Sequence, residues 1–469
     1  MQLNKLITQQ RSNDTRLTWS RDLKNTSPTI ATSIHTRPAE LAQALLRFDT
    51  TNPPGCEIKC IEYIESVLDA YDIKYRRYAI DPSRPNLVAR LPGGNSNPLM
   101  LYGHVDVVTT ENQTWTYPPF GGEIHNGWLW GRGALDMKGG DAMLLSAFLR
   151  AKQEQLPLPG DVILTFLSDE EAGGEHGAKF MVENHPDIFA NVKYAIGELG
   201  GYSYYYGGQT FYPIMIAEKT VVRIRITVQG PGGHGAMVHS GTAMAKAGKI
   251  LTLLEEHRLP PSITPAAQSM LKEMAKALPL KDSSTFLNLL DTTKTDAALD
   301  SMPNHGRELD PLLHNTVNAT FVRGGTKINV IPGHIEIDLD ARQVPGSSPE
   351  DLIIELRHLL GDDLEIEILE ADPPGPSQPD MGLFQTLSSI LLETDKDGHP
   401  VPFMTSGATD GRFFARLGIQ TYGFLPMKLP EGFDFTRLLH TADERIPVDA
   451  LEFGHQAIYK VLQRFGNAP

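Results

Sequence analysis

Residues 127–149 read Gly-Trp-Leu-Trp-Gly-Arg-Gly-Ala-Leu-Asp-Met-Lys-Gly-Gly-Asp-Ala-Met-Leu-Leu-Ser-Ala-Phe-Leu. The first four residues spell a short strand, and 141–149 place apolar residues at helical spacing. Between them lies a glycine-lined turn with Asp136 at its centre. Glycine lets a backbone crowd against a ligand and take angles closed to other residues. Read alone, Asp136 has two uses: it caps the helix that follows, or it bridges two metal ions. A phosphate cradle does not fit, because P-loop spacing is absent and no Lys-Ser or Lys-Thr follows. The His and acidic residues elsewhere decide between the two.

Outward from this turn, strands at 86–91, 99–104, 162–167 and 194–198 alternate with helices at 38–46, 58–71 and 177–184. The strand 162–167 is apolar throughout, as in a sheet covered on both faces. The alternation predicts an α/β sandwich. Near Lys219 the pattern changes. Residues 221–228 alternate strictly, the mark of a strand with one wet face. A helix at 243–256, strands at 315–322 and 334–340, a helix at 349–360 and a strand at 364–369 follow. With 257–313 set aside as an insertion bearing its own helices, such as 266–278, the order is β-α-β-β-α-β, a ferredoxin-like unit. The Pro-rich run 372–376 is a stiff linker. A helix, a strand and a helix then return to the first domain, ending near Phe465. The expected division is a flexible extension over 1–36, a catalytic domain over 37–217 and 374–469, and an inserted domain over 218–373.

Composition narrows the class. A chain of 469 residues is long enough for two or more domains. Its formal net charge of −15 argues against nucleic acid and anionic membrane surfaces as partners. No apolar run reaches the roughly 18 residues of a membrane span. Residues 1–36 lack the apolar core of a secretory signal. Cys56 and Cys60 have no second pair to complete a zinc site and form no disulfide framework. The expected compartment is the reducing cytoplasm.

Four further clusters stand at the ends of predicted strands, where open α/β sheets build sites. In Gly103-His104-Val105-Asp106, His104 and Asp106 are two apart and share one side of a strand. That suits a ligating histidine whose second nitrogen is held by a carboxylate. Ser168-Asp169-Glu170-Glu171 follows an apolar strand, and neighbouring carboxylates face different ways, so one can bind metal while the other meets substrate. Glu198 precedes Leu199-Gly200-Gly201, and His440 lies in Leu438-Leu439-His440-Thr441. Alone, each is an ordinary surface histidine or loop carboxylate. Together they make two histidines and three carboxylates. Mixed N and O ligands without cysteine suit zinc, with cobalt or manganese as substitutes. Sharing Asp136 would put the metals roughly 3.5–4 Å apart.

The sequence resembles the dinuclear zinc exopeptidase and amidohydrolase family, which includes glutamate carboxypeptidase, aminoacylase, acetylornithine deacetylase and succinyl-diaminopimelate desuccinylase. The matching motifs begin with Gly103-His104-Val105-Asp106-Val107-Val108, Gly131-Arg132-Gly133, Asp136-Met137-Lys138-Gly139-Gly140 and Asp169-Glu170-Glu171. They continue with Gly230-Pro231-Gly232-Gly233-His234-Gly235, Asn329-Val330-Ile331-Pro332, Ser406-Gly407-Ala408-Thr409-Asp410-Gly411-Arg412 and His440. The match runs from about residue 40 to the end. It implies a mixed sheet between helices with an inserted lid or dimerisation domain, two zinc ions per chain and a homodimer through the lid. It assigns His104 and Glu198 to one zinc, Glu171 and His440 to the other, and Asp136 to both. Glu170 becomes the general base, and Asp106 orients His104. His234 polarises the scissile carbonyl from the partner's lid. Asn329, Arg342, Ser406 and Gly407 bind a substrate carboxylate. A cis peptide bond after Asp136 is also implied. Val238 departs from the family, where many relatives have proline, and the insertion 257–313 is long.

The expected function is hydrolysis of an amide bond in a small peptide or N-acyl amino acid with a free carboxylate. Biosynthetic deacylation of the desuccinylase or acetylornithine type stands as the near alternative. A catalytically silent relative would have lost ligands or the base, and all six are present here.

Overall fold

The computed structural model describes residues 33–302, 305–373 and 375–467. A nine-stranded mixed sheet carries the site. In spatial order its strands are Tyr75–Tyr78, Asn86–Leu91, Gly160–Leu167, Ser96–His104, Tyr194–Gly197, Gln420–Gly423, Gln209–Glu218 and His399–Thr405, with Tyr204–Tyr206 hairpinned onto Gln209–Glu218. Ser96–His104 runs parallel to both of its neighbours, Gly160–Leu167 and Tyr194–Gly197. Their C-terminal ends therefore open together, where an α/β sheet leaves its crevice.

Helices cover both faces, which is why the central strands are apolar without alternation. On one face lies the helix Lys138–Gln153, buried from Lys138 through Leu149 and packed between the sheet and the helices Pro38–Leu46 and Val448–Arg464. On the other, Met100, Tyr102, Ile163 and Leu167 pack with Met181, Val182, Phe413 and Phe414. Each such side chain taken fully out of water contributes about 1.5–3 kcal/mol. The same burial fixes the glycine turn against the sheet: a Cβ on Gly103 would lie 2.0 Å from Asp141 Oδ1.

A second, four-stranded antiparallel sheet has the order Thr316–Arg323, His334–Gln343, Thr220–Gln229, Glu365–Ala371. This is the β-α-β-β-α-β unit expected from the sequence. Val222, Ile224, Ile226, Ile335, Ile337 and Leu339 face the helices Ala243–Glu256 and Pro349–Leu360. The other face is charged, with Arg225 against Asp338 and Arg223 against Asp340. The helix Pro349–Leu360 starts at a capping box in which Ser348 and Asp351 satisfy each other's backbone N–H.

The structure departs from the sequence reading in several places. Gln209–Glu218, ten residues long and inside the large sheet, is a strand that the sequence reading does not include; Pro213 breaks its β signature. The C-terminal return has more pieces than helix, strand and helix, adding Gly411–Ala415, Gln420–Gly423, Phe435–Leu438 and Arg445–Pro447. These are too short for periodicity to reveal. Helix Pro265–Ala277, within the insertion, packs on His399–Thr405 and Gln209–Glu218, so it covers the large sheet. Ile34–Thr36 form a helical turn with Ile34 buried, so the packed chain begins inside the expected extension; residues 1–32 lie outside the described residues. Cys56 is exposed, Cys60 is buried within Ile58–Ala70, and both are free thiols. Among the described residues, no helix is long and apolar enough to cross a membrane.

Candidate active site

The five candidate ligands converge at the C-terminal edge of the three parallel strands. His104 ends its strand, Glu198 follows Tyr194–Gly197, and Glu170 and Glu171 follow Gly160–Leu167 in a short helical turn. Asp136 arrives from the glycine turn, and the peptide bond between Asp136 and Met137 is cis. His440 arrives from a late loop, 304 residues from Asp136.

Asp136 stands between the two histidines with one oxygen toward each. Its Oδ1 lies 3.1 Å from His104 Nε2, and its Oδ2 lies 3.2 Å from His440 Nε2. Glu198 Oε2 is 3.7 Å from His104 Nε2, and Glu171 Oε2 is 3.4 Å from His440 Nε2. A tetrahedral ion about 2.0–2.1 Å from each ligand separates those ligands by roughly 3.3 Å. Two such clusters, joined by Asp136, match that spacing. By mutual proximity alone, within 4.8 Å, the groups are His104, Asp136 and Glu171, and His104, Glu170 and Glu198. His440 stands outside those triplets, yet its two short distances place it with Asp136 and Glu171.

The donor chemistry also fits cations. Glu171 Oε1 is buried with no hydrogen-bond partner. Burial, then the neighbouring Asp136 carboxylate, pushes Glu171 up to about 7. Burial followed by Glu198 raises Glu170 well above the usual carboxylate range, and burial raises Glu198. The hydrogen bond to Asp136, then that to Glu171, pushes His440 up to about 10. Burial alone would raise Asp136, but the bonds to His104 and His440 outweigh it and hold it low. A crowd of carboxylates this close calls for positive charge at its centre.

The backbone is strained where it presents these groups. Asp169, Leu199 and His440 have φ of 72°, 62° and 61°. Non-glycine residues rarely adopt this left-handed region, and such strain gathers at functional sites. Asp106 holds part of it. Its carboxylate accepts from the backbone N–H of Glu170 and of Glu171, both at 3.1 Å, and from Asn52 Nδ2 at 2.9 Å. The strand ends at His104, so Asp106 lies beyond it. His104 Nδ1 is 3.1 Å from the main-chain oxygen of Asp106 and 3.6 Å from its carboxylate. The carboxylate expected to orient His104 thus faces that histidine and also anchors the turn bearing Glu170 and Glu171.

The model of the peptidase family M20/M25/M40 matches residues 100–464. The chain belongs to that family. It is 28% identical over 378 residues to a probable carboxypeptidase S-like 2 of Dictyostelium discoideum, spanning 75% of this chain and 68% of that one. It is 25% identical over 386 residues to an N-fatty-acyl-amino acid synthase/hydrolase of Xenopus tropicalis, spanning 80% and 74%. An M20 family metallo-carboxypeptidase from Sulfolobus solfataricus shares the fold, with a TM-score of 0.67 at 16% identity over 92% of this chain and 99% of that one. This M20/M25/M40 family member is a metal-dependent hydrolase of amide bonds.

Several residues around the family's motifs carry no sequence signal. Glu444, fully buried, accepts from the backbone N–H of Gly133 at 3.0 Å, Leu135 at 2.7 Å and Asp136 at 3.1 Å, and from Arg132 Nη1 at 2.6 Å. It ties the Asp136 turn to the loop of His440. Arg132 also donates to the carbonyl of Thr441 and to Gln113, and Gln113 donates to the carbonyl of His440. On the opposite side, Arg84 bridges Glu57 and Asp169, and Asn52 links Asp169 to Asp106. A Glu at four positions after the late histidine was the available clue to the first of these.

The remaining expected site residues are not joined to the cluster. His234 is exposed, and its Nδ1 accepts from the backbone N–H of Ala236. Asn329 is exposed, and its carbonyl accepts from Gly235. Arg342 donates from Nε to Asp340 at 2.9 Å. All three sit on or beside the four-stranded sheet. Ser406 is exposed and Gly407 half-buried at the end of His399–Thr405.

Proposed function

We propose that this chain hydrolyses the amide bond of small peptides or N-acyl amino acids that carry a free carboxylate, using two zinc ions. The observation that carries this is Asp136, with one carboxylate oxygen toward each of His104 and His440. In this reading His104 and Glu198 hold one ion, Glu171 and His440 hold the other, and Asp136 serves both. Nitrogen and oxygen donors without thiolate favour zinc, and cobalt or manganese can stand in. Bound zinc supplies Lewis acidity and lets water ionise near neutral pH. Glu170 is the general base: it takes a proton from water and passes it to the leaving amine. Asp106 keeps the Glu170–Glu171 turn in place through its backbone amides. His234 polarises the scissile carbonyl.

Arg342, Asn329, Ser406 and Gly407 receive the substrate carboxylate, a planar guanidinium being suited to gripping two oxygens. Arg342 exchanges Asp340 for substrate to do so. The names of the relatives, a carboxypeptidase and an N-fatty-acyl-amino acid synthase/hydrolase, support an amide next to a carboxylate. We divide the chain into a catalytic domain, 37–217 with 374–469, and a lid, 218–373, whose helix Pro265–Ala277 reaches back onto the large sheet. Exposed Phe321 and Val322 on the edge strand Thr316–Arg323 support a homodimer through the lid. The two free thiols fit a cytoplasmic enzyme.

The test pairs metal with substrate. Protein loaded with zinc and freed of excess should hold two ions per chain by elemental analysis. Dipeptides and N-acyl amino acids, from acetyl through succinyl to long-chain, should be cleaved, and their C-terminal amides poorly. Zero metal after loading, or equal handling of acid and amide, would sink this reading.

A further inference from the structure

We propose that Arg412 is a positioning residue that couples Glu170 to the crossing between the two sheets. This rests on Glu170 being the base. Arg412 lies in Gly411–Ala415, with its side chain only 13% exposed. Its Nη1 is 3.8 Å from Glu170 Oε1 and donates to the carbonyl of Thr409 at 2.9 Å. Its Nε lies 3.3 Å from Asp372 Oδ2, in a charge contact whose angle makes no hydrogen bond. The guanidinium also rests on the ring of Phe413, at 4.5 Å.

Asp372 is where the chain leaves the four-stranded sheet. It follows Glu365–Ala371, and its backbone N–H donates to Val221. The other crossing is 218–220. There, Glu218 Oε2 accepts from the backbone N–H of Thr409 at 2.6 Å, and the Lys219 backbone N–H donates to Thr405 at 3.2 Å. Residues 405–412 thus touch both crossings and end at Glu170. A largely enclosed guanidinium with a carboxylate within 4 Å on either side is attracted to both, and its hydrogen bond to the Thr409 carbonyl fixes where it sits. While the four-stranded sheet keeps Asp372 in place, Arg412 keeps Glu170 aimed. When that sheet swings, Asp372 moves, and Glu170 loses its anchor. The base is then ready in one orientation of the two sheets and slack in others.

The test is a double-mutant cycle on the zinc-loaded full chain, reading kcat, KM and metal content. Asp372→Asn keeps shape and removes the charge. It should lower kcat about 5–20-fold at nearly constant KM, a fraction of the 10²–10⁴-fold worth of a positioned base. Arg412→Ala should lower kcat about 100-fold, and Arg412→Lys should restore part of it. Asp372→Asn added to Arg412→Ala should cost little more, added to Arg412→Lys it should cost less than it does alone, and two metals should remain. If Arg412→Ala does not fold, the Arg412→Lys cycle decides. Multiplying losses would overturn the coupling. So would a rise in KM at unchanged kcat, which would make Arg412 a substrate clamp. Glu170→Gln separates the two levels. If it stays active, the base assignment fails and this inference with it. If it is dead while the losses multiply, only the coupling fails.

Discussion

Glu444 shows how much of the centre depends on a residue that need not touch substrate. Its two oxygens satisfy the backbone N–H groups of Gly133, Leu135 and Asp136 and the buried charge of Arg132. Removing one member of a buried ion pair costs about 3–5 kcal/mol, because the other charge is stranded. Glu444→Ala should therefore lower unfolding stability by about that much. Losing a group that orients a ligand typically weakens metal binding about 10–100-fold, so zinc affinity in a chelator competition should fall in that range. Unchanged zinc affinity would mean the Asp136 turn holds its shape without the clamp. At this scale the sequence speaks unevenly. His104, Asp136, Glu171, Glu198 and His440 were readable because each stands at a strand end or in a motif. Asn52, Arg84 and Glu444 were not. Side chains whose partners lie 27 to 312 positions away leave no local pattern.

At the scale of elements, legibility follows burial geometry. Thr220–Gln229 has one wet face, so its alternation is plain in the sequence. Gln209–Glu218 is buried along its middle, contains Pro213 and alternates nowhere, so its sequence carries no strand signal. Lys219 joins these two strands. It is fully buried, and its Nζ donates to the carbonyl of His314 at 2.9 Å and to Thr316 Oγ1 at 3.0 Å. Burial, then Arg342, lowers it from 10.5 to about 7. Between those two values the unfolded chain binds a proton that the folded chain does not, so its contribution to stability rises with pH across that window. Below about pH 7 both states are protonated and the full cost of the buried charge remains. Lys219→Met removes this dependence. Its stability relative to the parent should be greatest at pH 7 and fall by roughly 1–3 kcal/mol by pH 9.5, since each tenfold change in proton affinity is about 1.4 kcal/mol. The lost hydrogen bonds add a cost of about 1–3 kcal/mol that does not vary with pH. Urea midpoints at the two pH values measure the difference, and parallel pH profiles would show that Lys219 stays charged when folded.

Over the whole molecule, the α/β class and the β-α-β-β-α-β unit were readable because their elements are long. The joining of the two sheets was not, since it rests on contacts such as that of Thr409 with Glu218, which lie far apart in sequence. Among the described residues, the His234 side chain bonds to the backbone of its own loop. If it acts across a dimer, then Glu170→Ala and His234→Ala, each inactive, should restore one complete site per mixed dimer when unfolded and refolded together. With free exchange across a two-fold axis, roughly a quarter of parental activity should return. Well-mixed dimers without recovery would assign His234 to its own chain. The late arrival of His440 has a consequence for biosynthesis. A ribosome that has reached residue 430 has already laid down every strand of the nine-stranded sheet, the last being Gln420–Gly423. It has not yet supplied His440 or Glu444. A chain stopped there owns the scaffold and a crowd of mutually repelling carboxylates, but has neither the second histidine nor the clamp on Asp136. Under the proposed metal assignment, catalysis is withheld until residues 440 and 444 have been added.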